Sequence, residues 1–338
     1  MKNWKKFFQT NTKKKTGILF LIATFLLLLV LFFSLSMGAA ELSFKDIWTA
    51  IKEGADSGVA GRIFWYVRLP RTLACALSGA ALATAGVVIQ NVLSHKLASP
   101  GIIGVNAGAG VAVTICCACG AVSGWIIAGA AFGGALFAVL TVALAAQKIG
   151  ASKTTVILGG VAVNSFLNAV SEAISTLNPD VGIQTADFRV GGFSSVAYTR
   201  LIPAAVLILF ALLIVFTLSN ELDVISLGED TASGLGLPVR KMRTVFLVLA
   251  ALLAGASVSF AGLLGFVGLI VPHMARSLVG NESKYLLPFS ALIGAAFVTL
   301  CDLASRVLFA PYEVPVGILM SFIGGPFFIF LLVKRRRQ

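Results

Sequence analysis

The sequence predicts an all-α integral membrane protein with ten transmembrane helices, and three observations support this. Hydrophobic residues make up 58% of the 338 and charged residues 12%, about half the ~25% charged fraction of an ordinary globular protein. Mean hydropathy is +0.97, so most of the chain must face lipid; a water-soluble enzyme, a nucleic-acid binder and a disordered tail are excluded. Apolar stretches of about 20 residues, enough to cross a ~30 Å hydrocarbon layer, recur along the chain. The basic residues behind the net charge of +12 are unevenly divided between the connecting segments. In a membrane protein that division reports topology, because Lys and Arg gather on the cytoplasmic side.

The first span, 17–37, follows the basic segment 1–16, which holds Lys2, Lys5, Lys6, Lys13, Lys14 and Lys15. Gly38-Ala39-Ala40 resembles a signal-peptide cleavage site, but an apolar run of roughly 20 residues exceeds the ~7–15 of a signal-peptide core, so an uncleaved span is expected. Spans 72–92, 101–120, 122–146, 154–176, 201–219, 243–262, 263–275, 285–303 and 314–333 follow. The stretch 243–275 is the least regular, interrupted by Gly255, Gly262, Gly265, Gly268 and Pro272. With the N-terminus inside, inner segments carry 18 Lys and Arg, including Lys96, Lys148, Lys153, Arg240, Lys241, Arg243, Arg276, Lys284 and the tail residues 334–337. The outer segments carry 8: Lys45, Lys52, Arg62, Arg68, Arg71, Arg189, Arg200 and Arg306. This bias puts both termini, including the basic tail 334–338, on the cytoplasmic side of the cell membrane, as an even number of crossings requires. The chain 1–338 reads as a single transmembrane domain.

A repeat runs through it. Gly79 and Gly86 lie seven residues apart in an Ala/Leu/Val-rich context that returns at Gly255 and Gly262, an offset of 176. Spans two to five then match spans seven to ten, and five spans between the copies set them in opposite orientations, as in transporters that rock one half against the other. Gly104 with Gly108, and Gly129 with Gly133, have the spacing that lets membrane helices approach closely. The sequence has no G-x-x-x-x-G-K-[ST] phosphate loop, no H-E-x-x-H and no G-x-S-x-G; Cys116-Cys117-Ala118-Cys119 has C-x-x-C spacing, but no His or carboxylate lies near it in sequence. Cys75, Cys116, Cys117, Cys119 and Cys301 all fall within spans and read as small apolar filler. His95 and His273 stand far apart in sequence and form no centre.

Four stretches carry a resemblance. They are Arg68-Leu69-Pro70-Arg71 with the run to Gln90-Asn91; Leu97-Ala98-Ser99-Pro100-Gly101-Ile102-Ile103-Gly104; Gly265 to His273 with Arg276; and Val314-Pro315-Val316-Gly317-Ile318 through Gly324-Gly325-Pro326-Phe327. In order and spacing across residues 60–335 the chain resembles the FecCD-type permease subunits of type II ABC importers, which carry ferric siderophores, haem and cobalamin. The resemblance implies a homodimer or a heterodimer with a similar permease, two separate ATPase subunits that use ATP and Mg, and an extracytoplasmic substrate-binding protein. It implies no catalytic site, cofactor or metal in this chain. Ferric siderophore is the expected cargo, with cobalamin and haem as alternatives. A rival of another class is an ion-coupled secondary transporter using Glu172 or Asp302 as its coupling carboxylate.

The longest inner connection, 219–243, contains Gly228, Glu229, Asp230, Ala232, Gly234, Gly236 and Pro238. Glu229 and Asp230 suit the start of a short helix, where the dipole favours negative charge, and Gly236 with Pro238 suits its end. The resemblance makes this segment the helix that contacts the ATPase. Arg68, Arg71 and Arg306 stand on the side the charge bias avoids. Arginine pairs bidentately with carboxylates, and the resemblance makes these three the receivers of acidic residues from the binding protein; snorkelling is the competing reading. Asn164, Asn168 and Glu172 recur every fourth residue on one face of the fifth span, with Gly317, Ser321, Gly324 and Gly325 as a smoother counterpart on the tenth. Polar groups in a membrane line a cavity or pair between helices, and the resemblance favours the translocation path. Gln90, Asn91, Asn106 and Asp302 read as structural buried polar residues.

Overall fold

The computed structural model describes residues 2–38, 43–148, 153–308, 310 and 312–335. They fold into fifteen α-helices with short 3-10 and π segments, and no strand occurs among the described residues. The helices are α1 (Lys2–Ser36), α2 (Phe44–Glu53), α3 (Val59–Ile63), α4 (Leu69–Val92), α5 (Val105–Ala118), α6 (Gly124–Lys148), α7 (Lys153–Leu177), α8 (Pro179–Val190), α9 (Tyr198–Thr217), α10 (Ser219–Ser226), α11 (Glu229–Gly234), α12 (Val239–Ala261), α13 (Val267–Val279), α14 (Ser283–Val307) and α15 (Val316–Arg335). Ala39 and Ala40 of the cleavage-like site, and residues 336–338 of the basic tail, lie outside the described residues.

The ten predicted spans correspond to α1, α4, α5, α6, α7, α9, α12, α13, α14 and α15. Seven helical stretches are long and apolar enough to cross a membrane, and Val105–Ala118, Val267–Val279 and Val316–Phe330 are shorter apolar helices. The span predicted over 101–120 is therefore shorter than expected, and the one predicted over 263–275 keeps its 13 residues but lies further along, at Val267–Val279. A helix as short as α13 reaches only about 20 Å, roughly two-thirds of the hydrocarbon layer. The backbone unwinds before each: Gly104 has φ +102, and Gly262 and Phe266 have φ +68 and +64. Irregular backbone at membrane depth is tolerated where protein covers it, and Ala98, Ile103, Gly104 and Leu264 are buried.

Three helical features escape a hydropathy reading. Phe64–Arg68 forms a π turn that runs straight into α4. Pro70 has no N–H to return to Tyr66, and a widened turn, closed by the Leu69 N–H on the Phe64 carbonyl, absorbs the missing bond. α2 is an amphipathic helix started by a Ser43–Asp46 capping box. α8 begins at Pro179, the first helical position that proline favours.

The core is built around α4, which packs on α12, α13 and α14. Gly79 lies against the backbone of Gly294, and Gly86 against Gly268, so closely that a methyl group at either position would strike backbone. α4 and α12 meet where the Ser78 and Ser257 hydroxyls bond at 2.6 Å. The repeat is visible in this packing. Helix α4 of the first copy packs on α14 of the second through Gly79 and Gly294, and α12 of the second packs on α6 of the first, where a Cβ on Gly255 would stand 3.2 Å from that of Ala135. The two close-approach motifs differ. Gly108 is seated against Gly134 of α6, whereas Gly129 and Gly133 have nothing within 4 Å and form no seam among the described residues.

Helix α1 belongs to the bundle. Its Ser34 hydroxyl bonds Thr72 Oγ1 at 2.8 Å, and Phe20 meets Phe289 edge-on at 5.3 Å. α7 is the opposite case. Only 11% of its apolar window is buried, against 78% for Val59–Val92, so lipid or another chain must cover most of it.

Candidate functional site

At the predicted outer end, Arg68, Arg71 and Arg306 converge, and all three are buried. Arg71 grips Asp302 from two sides: its Nε donates to Oδ1 and Oδ2 at 3.1 and 3.2 Å, and Nη2 to Oδ1 at 3.0 Å. Its remaining nitrogen, Nη1, donates to Glu313 Oε2 at 2.8 Å. Arg306 Nε sits 3.0 Å from Asp302 Oδ2, and its Nη2 donates to Ser34 Oγ at 2.8 Å. Arg68 Nη1 donates to the carbonyls of Leu35 and Ser36 at 2.8 and 2.6 Å, and Arg306 Nη1 to that of Met37 at 3.2 Å. These are the last carbonyls of α1 and the residue after it, which have no partners within the helix and face its negative pole.

The sequence reading expected these three arginines to receive acidic residues from a binding protein. Their guanidiniums are used inside the chain, joining α1, α4 and α14. What reaches the surface is an edge of the cluster: Arg71, Asp187, Gly191, Phe193, Glu313 and Pro315 line an open cleft of ≈ 210 Å³. Glu313, a residue the sequence reading passed over, is the part-exposed member. Its position, two residues before a proline, offered no pattern to detect.

At the predicted inner end, the connection 219–243 folds as anticipated, with one addition. Glu229 and Asp230 open the six-residue α11, and Gly228 precedes it at φ +111. It closes on a Schellman motif: the Leu237 N–H reaches the Ala232 carbonyl at 3.1 Å, the Gly236 N–H reaches that of Ser233 at 2.9 Å, and Gly236 takes φ +84. Ala232 is buried and anchors the helix, while Glu229, Asp230, Gly234 and Pro238 are exposed. Glu229 Oε2 accepts from Arg243 Nη2 at 3.0 Å. Leu227 and Leu235 flank the helix, exposed by 61% and 65%. Beside it, Glu229, Asp230, Ser233, Leu237, Arg240 and Lys241 border a cleft of ≈ 630 Å³. The addition is α10, which covers the first part of the connection.

The polar stripe on α7 divides. Asn164 Nδ2 donates to the carbonyls of Gly101 and Ile102 at 2.7 and 3.0 Å, so it serves as a clamp on the loop before α5. Asn168 is exposed. Glu172 is also exposed, with Oε2 accepting from Arg189 Nη1 of α8 at 3.2 Å. On α15, Gly317 is buried against the Val190 carbonyl, and its N–H bonds the Gly191 carbonyl at 3.2 Å. Ser321 is exposed, its hydroxyl returned to the Gly317 carbonyl at 2.9 Å. Gly324 leaves space for the ring of Phe266, and Gly325 has nothing within 4 Å. Asn168, Glu172 and Ser321 therefore stand on faces this chain leaves open; Asn164 and Gly317 are packed inside it.

Among the described residues no group of three or more His, Cys, Asp or Glu side chains is arranged to hold a metal. Residues 26–334 match the sequence profile of the FecCD transport family. This chain belongs to the FecCD transport family. It is similar to the iron(3+)-hydroxamate import system permease protein FhuB of Bacillus subtilis, 35% identical over 97% of this chain and 86% of that protein. It is also similar to the hemin transport system permease protein HmuU of Yersinia pestis, 32% identical over 94% and 97%. Among solved structures it resembles an inward-facing conformation of a metal-chelate type ABC transporter, with a TM-score of 0.83 and 30% identity over 94% of this chain and 99% of that one. As a FecCD member the chain is a multi-pass membrane permease, in agreement with the seven long and three shorter apolar helices among the described residues.

Proposed function

We propose that this chain is the permease subunit of an ATP-driven importer of iron(III) chelates, with ferric hydroxamate as the leading cargo. The observation that carries the reading is α11, a six-residue helix held by two positive-φ glycines and flanked by exposed leucines. A helix of this size gains little stability alone. Exposed apolar side chains beside a charged cleft suit a protein contact, and the ATPase is the partner this family requires. In this reading both termini and α11 face the cytoplasm, supported by the inner excess of Lys and Arg. ATP and Mg belong to the partner subunits, and this chain has no catalytic residue. A second permease, identical or similar, covers α7 and α15, and the open Asn168, Glu172 and Ser321 border the path between the two. The extracytoplasmic binding protein docks over the Arg71–Glu313 cleft, its acidic side chain displacing Glu313 from Arg71.

An ion-coupled carrier receives no support: Asp302 is locked between two arginines, and Glu172 is exposed beside Arg189. The test is uptake of radiolabelled ferric hydroxamate, ferric citrate, haem and cobalamin, with and without the partner ATPase. Saturable ferric-hydroxamate uptake that requires the ATPase is expected. Uptake that persists without the ATPase and collapses with the ion gradient overturns the proposal.

A further inference from the structure

The segment carrying α11 is also fastened to the bundle through α10. Helix α14 begins without a cap of its own, since Glu282 at the N-cap position makes no side-chain bond there. The cap comes from another element. Asp223 of α10 accepts the Ser283 backbone N–H on both carboxylate oxygens, at 3.0 and 3.2 Å. A carboxylate is favoured there because the first N–H groups of a helix lack internal partners and mark its positive pole.

The bonding continues inward from Ser283. Its hydroxyl accepts from Asn91 Nδ2 at 3.1 Å. Asn91 Oδ1 accepts from Arg276 Nη2 at 2.9 Å, and the same nitrogen donates to Gln90 Oε1 at 3.1 Å. Gln90 Nε2 donates to the Gly268 carbonyl at 3.2 Å. One network therefore joins α10 to α14, α4 and α13. Two atoms in these elements, Arg276 Nε and Glu221 Oε2, are buried with no hydrogen-bond partner among the described residues. The polar groups of these elements are thus not all satisfied among the described residues.

The far end of α14 holds Asp302 and Arg306. A helix of this length spans about 37 Å, and tight packing on α4 makes it a stiff strut. We propose that Asp223 is a positioning residue that makes α14 follow α10 and α11, so that a displacement at the ATPase side arrives at the Arg71–Asp302–Glu313 cluster and the loop before α15. The proposal rests on α11 being the ATPase contact.

The experiment uses the full chain with its ATPase in proteoliposomes. Three quantities are read: ATPase retained on purification, ATP hydrolysed, and radiolabelled ferric hydroxamate taken up per ATP. Asp223→Ala is expected to lower uptake per ATP at least about tenfold, the scale of one charge-assisted hydrogen bond, while ATPase retention and hydrolysis stay at wild-type level. Asp223→Asn keeps an oxygen acceptor that caps nearly as well and is expected to restore the ratio to within about twofold. Ser283→Pro removes the N–H at a first-turn position where proline is tolerated, and with it the hydroxyl that accepts from Asn91; its defect should be at least as large as that of Asp223→Ala, and adding Asp223→Ala to it should cost nothing more. Unchanged uptake per ATP in Asp223→Ala overturns the proposal, as does an Asn variant as defective as the Ala one. Loss of ATPase retention in Asp223→Ala also overturns it, since Asp223 would then only build the contact. A wild-type chain that retains no ATPase refutes instead the reading of α11 on which the proposal rests.

Discussion

Asp302 is the carboxylate on which the predicted outer end depends, and replacing it by Asn isolates its charge. The side chain is fully buried and meets both Arg71 and Arg306 within 3.0 Å. Asp302→Asn keeps the volume and one acceptor oxygen but leaves two buried guanidiniums sharing a neutral partner. Removing one member of a buried ion pair costs about 3–5 kcal/mol. The lower figure applies here, because Arg71 keeps Glu313 and Arg306 keeps the carbonyls of Ser34 and Met37. About 3 kcal/mol is a large share of the ~5–15 kcal/mol that holds a typical protein together. At roughly 2 °C per kcal/mol for a chain of this length, the midpoint falls by about 6 °C. The assay is thermal inactivation of the purified full chain in detergent, followed by size-exclusion chromatography of the surviving monodisperse fraction. Glu313→Gln is the control: its side chain is 34% exposed, and a pair open to solvent is worth less than about 1 kcal/mol. Equal shifts for the two variants, or no shift for Asp302→Asn, would refute the assignment of Asp302 as the buried keystone.

The remaining predictions concern the other sites. Gly236→Val puts a β-branched residue at φ +84, costing about 1–2 kcal/mol in the closing turn of α11; retained ATPase and uptake should both fall, and wild-type values for both would remove α11 from the interface. Gly79→Leu drives a side chain into the backbone of Gly294, whereas Gly129→Leu enters open space; the first should abolish folded yield and the second should stay within about 0.5 kcal/mol of wild type, and equal yields would contradict the packing of α4 on α14. Asn168→Cys is expected to react with a membrane-impermeant thiol reagent in at least one transport state, and protection in every state would assign Asn168 to a helix contact between chains.

What the sequence made legible follows from what hydropathy measures. Apolar length and charge bias locate spans, so the ten helices and the first-to-second-repeat pairing were readable, as was α11, whose ends are written in Glu229, Asp230 and Gly236. Depth along the membrane is a different quantity. The residues just before α5 and α13, 101–104 and 262–266, are as apolar as helix, and only Gly104, Gly262 and the unusual φ of Phe266 mark where the backbone leaves it. Partners distant in sequence were not readable either. Asp223 caps a helix 60 residues away, and Arg71 meets Asp302 across 231; no local spacing encodes either contact. Gly129 and Gly133 show the reverse failure, a motif without a partner among the described residues.

The arginines show why position relative to the membrane differs from exposure. Arg68, Arg71 and Arg306 violate the charge bias, and a residue that violates it must be compensated by something stronger than water at the interface. Two sources of compensation fit: a partner's carboxylate, or carboxylates and helix carbonyls supplied by the chain itself. The fold supplies the second for all three, through Asp302, Glu313 and the end of α1. In the docking proposed above, an acidic side chain of the binding protein would exchange with Glu313 at Arg71 and would not fill an empty fork. An exchange starts from a satisfied pair, so an incoming acidic side chain gains only the difference between its own contact and that of Glu313. On that proposal, such a small net gain would suit a binding protein that docks, delivers its cargo and leaves.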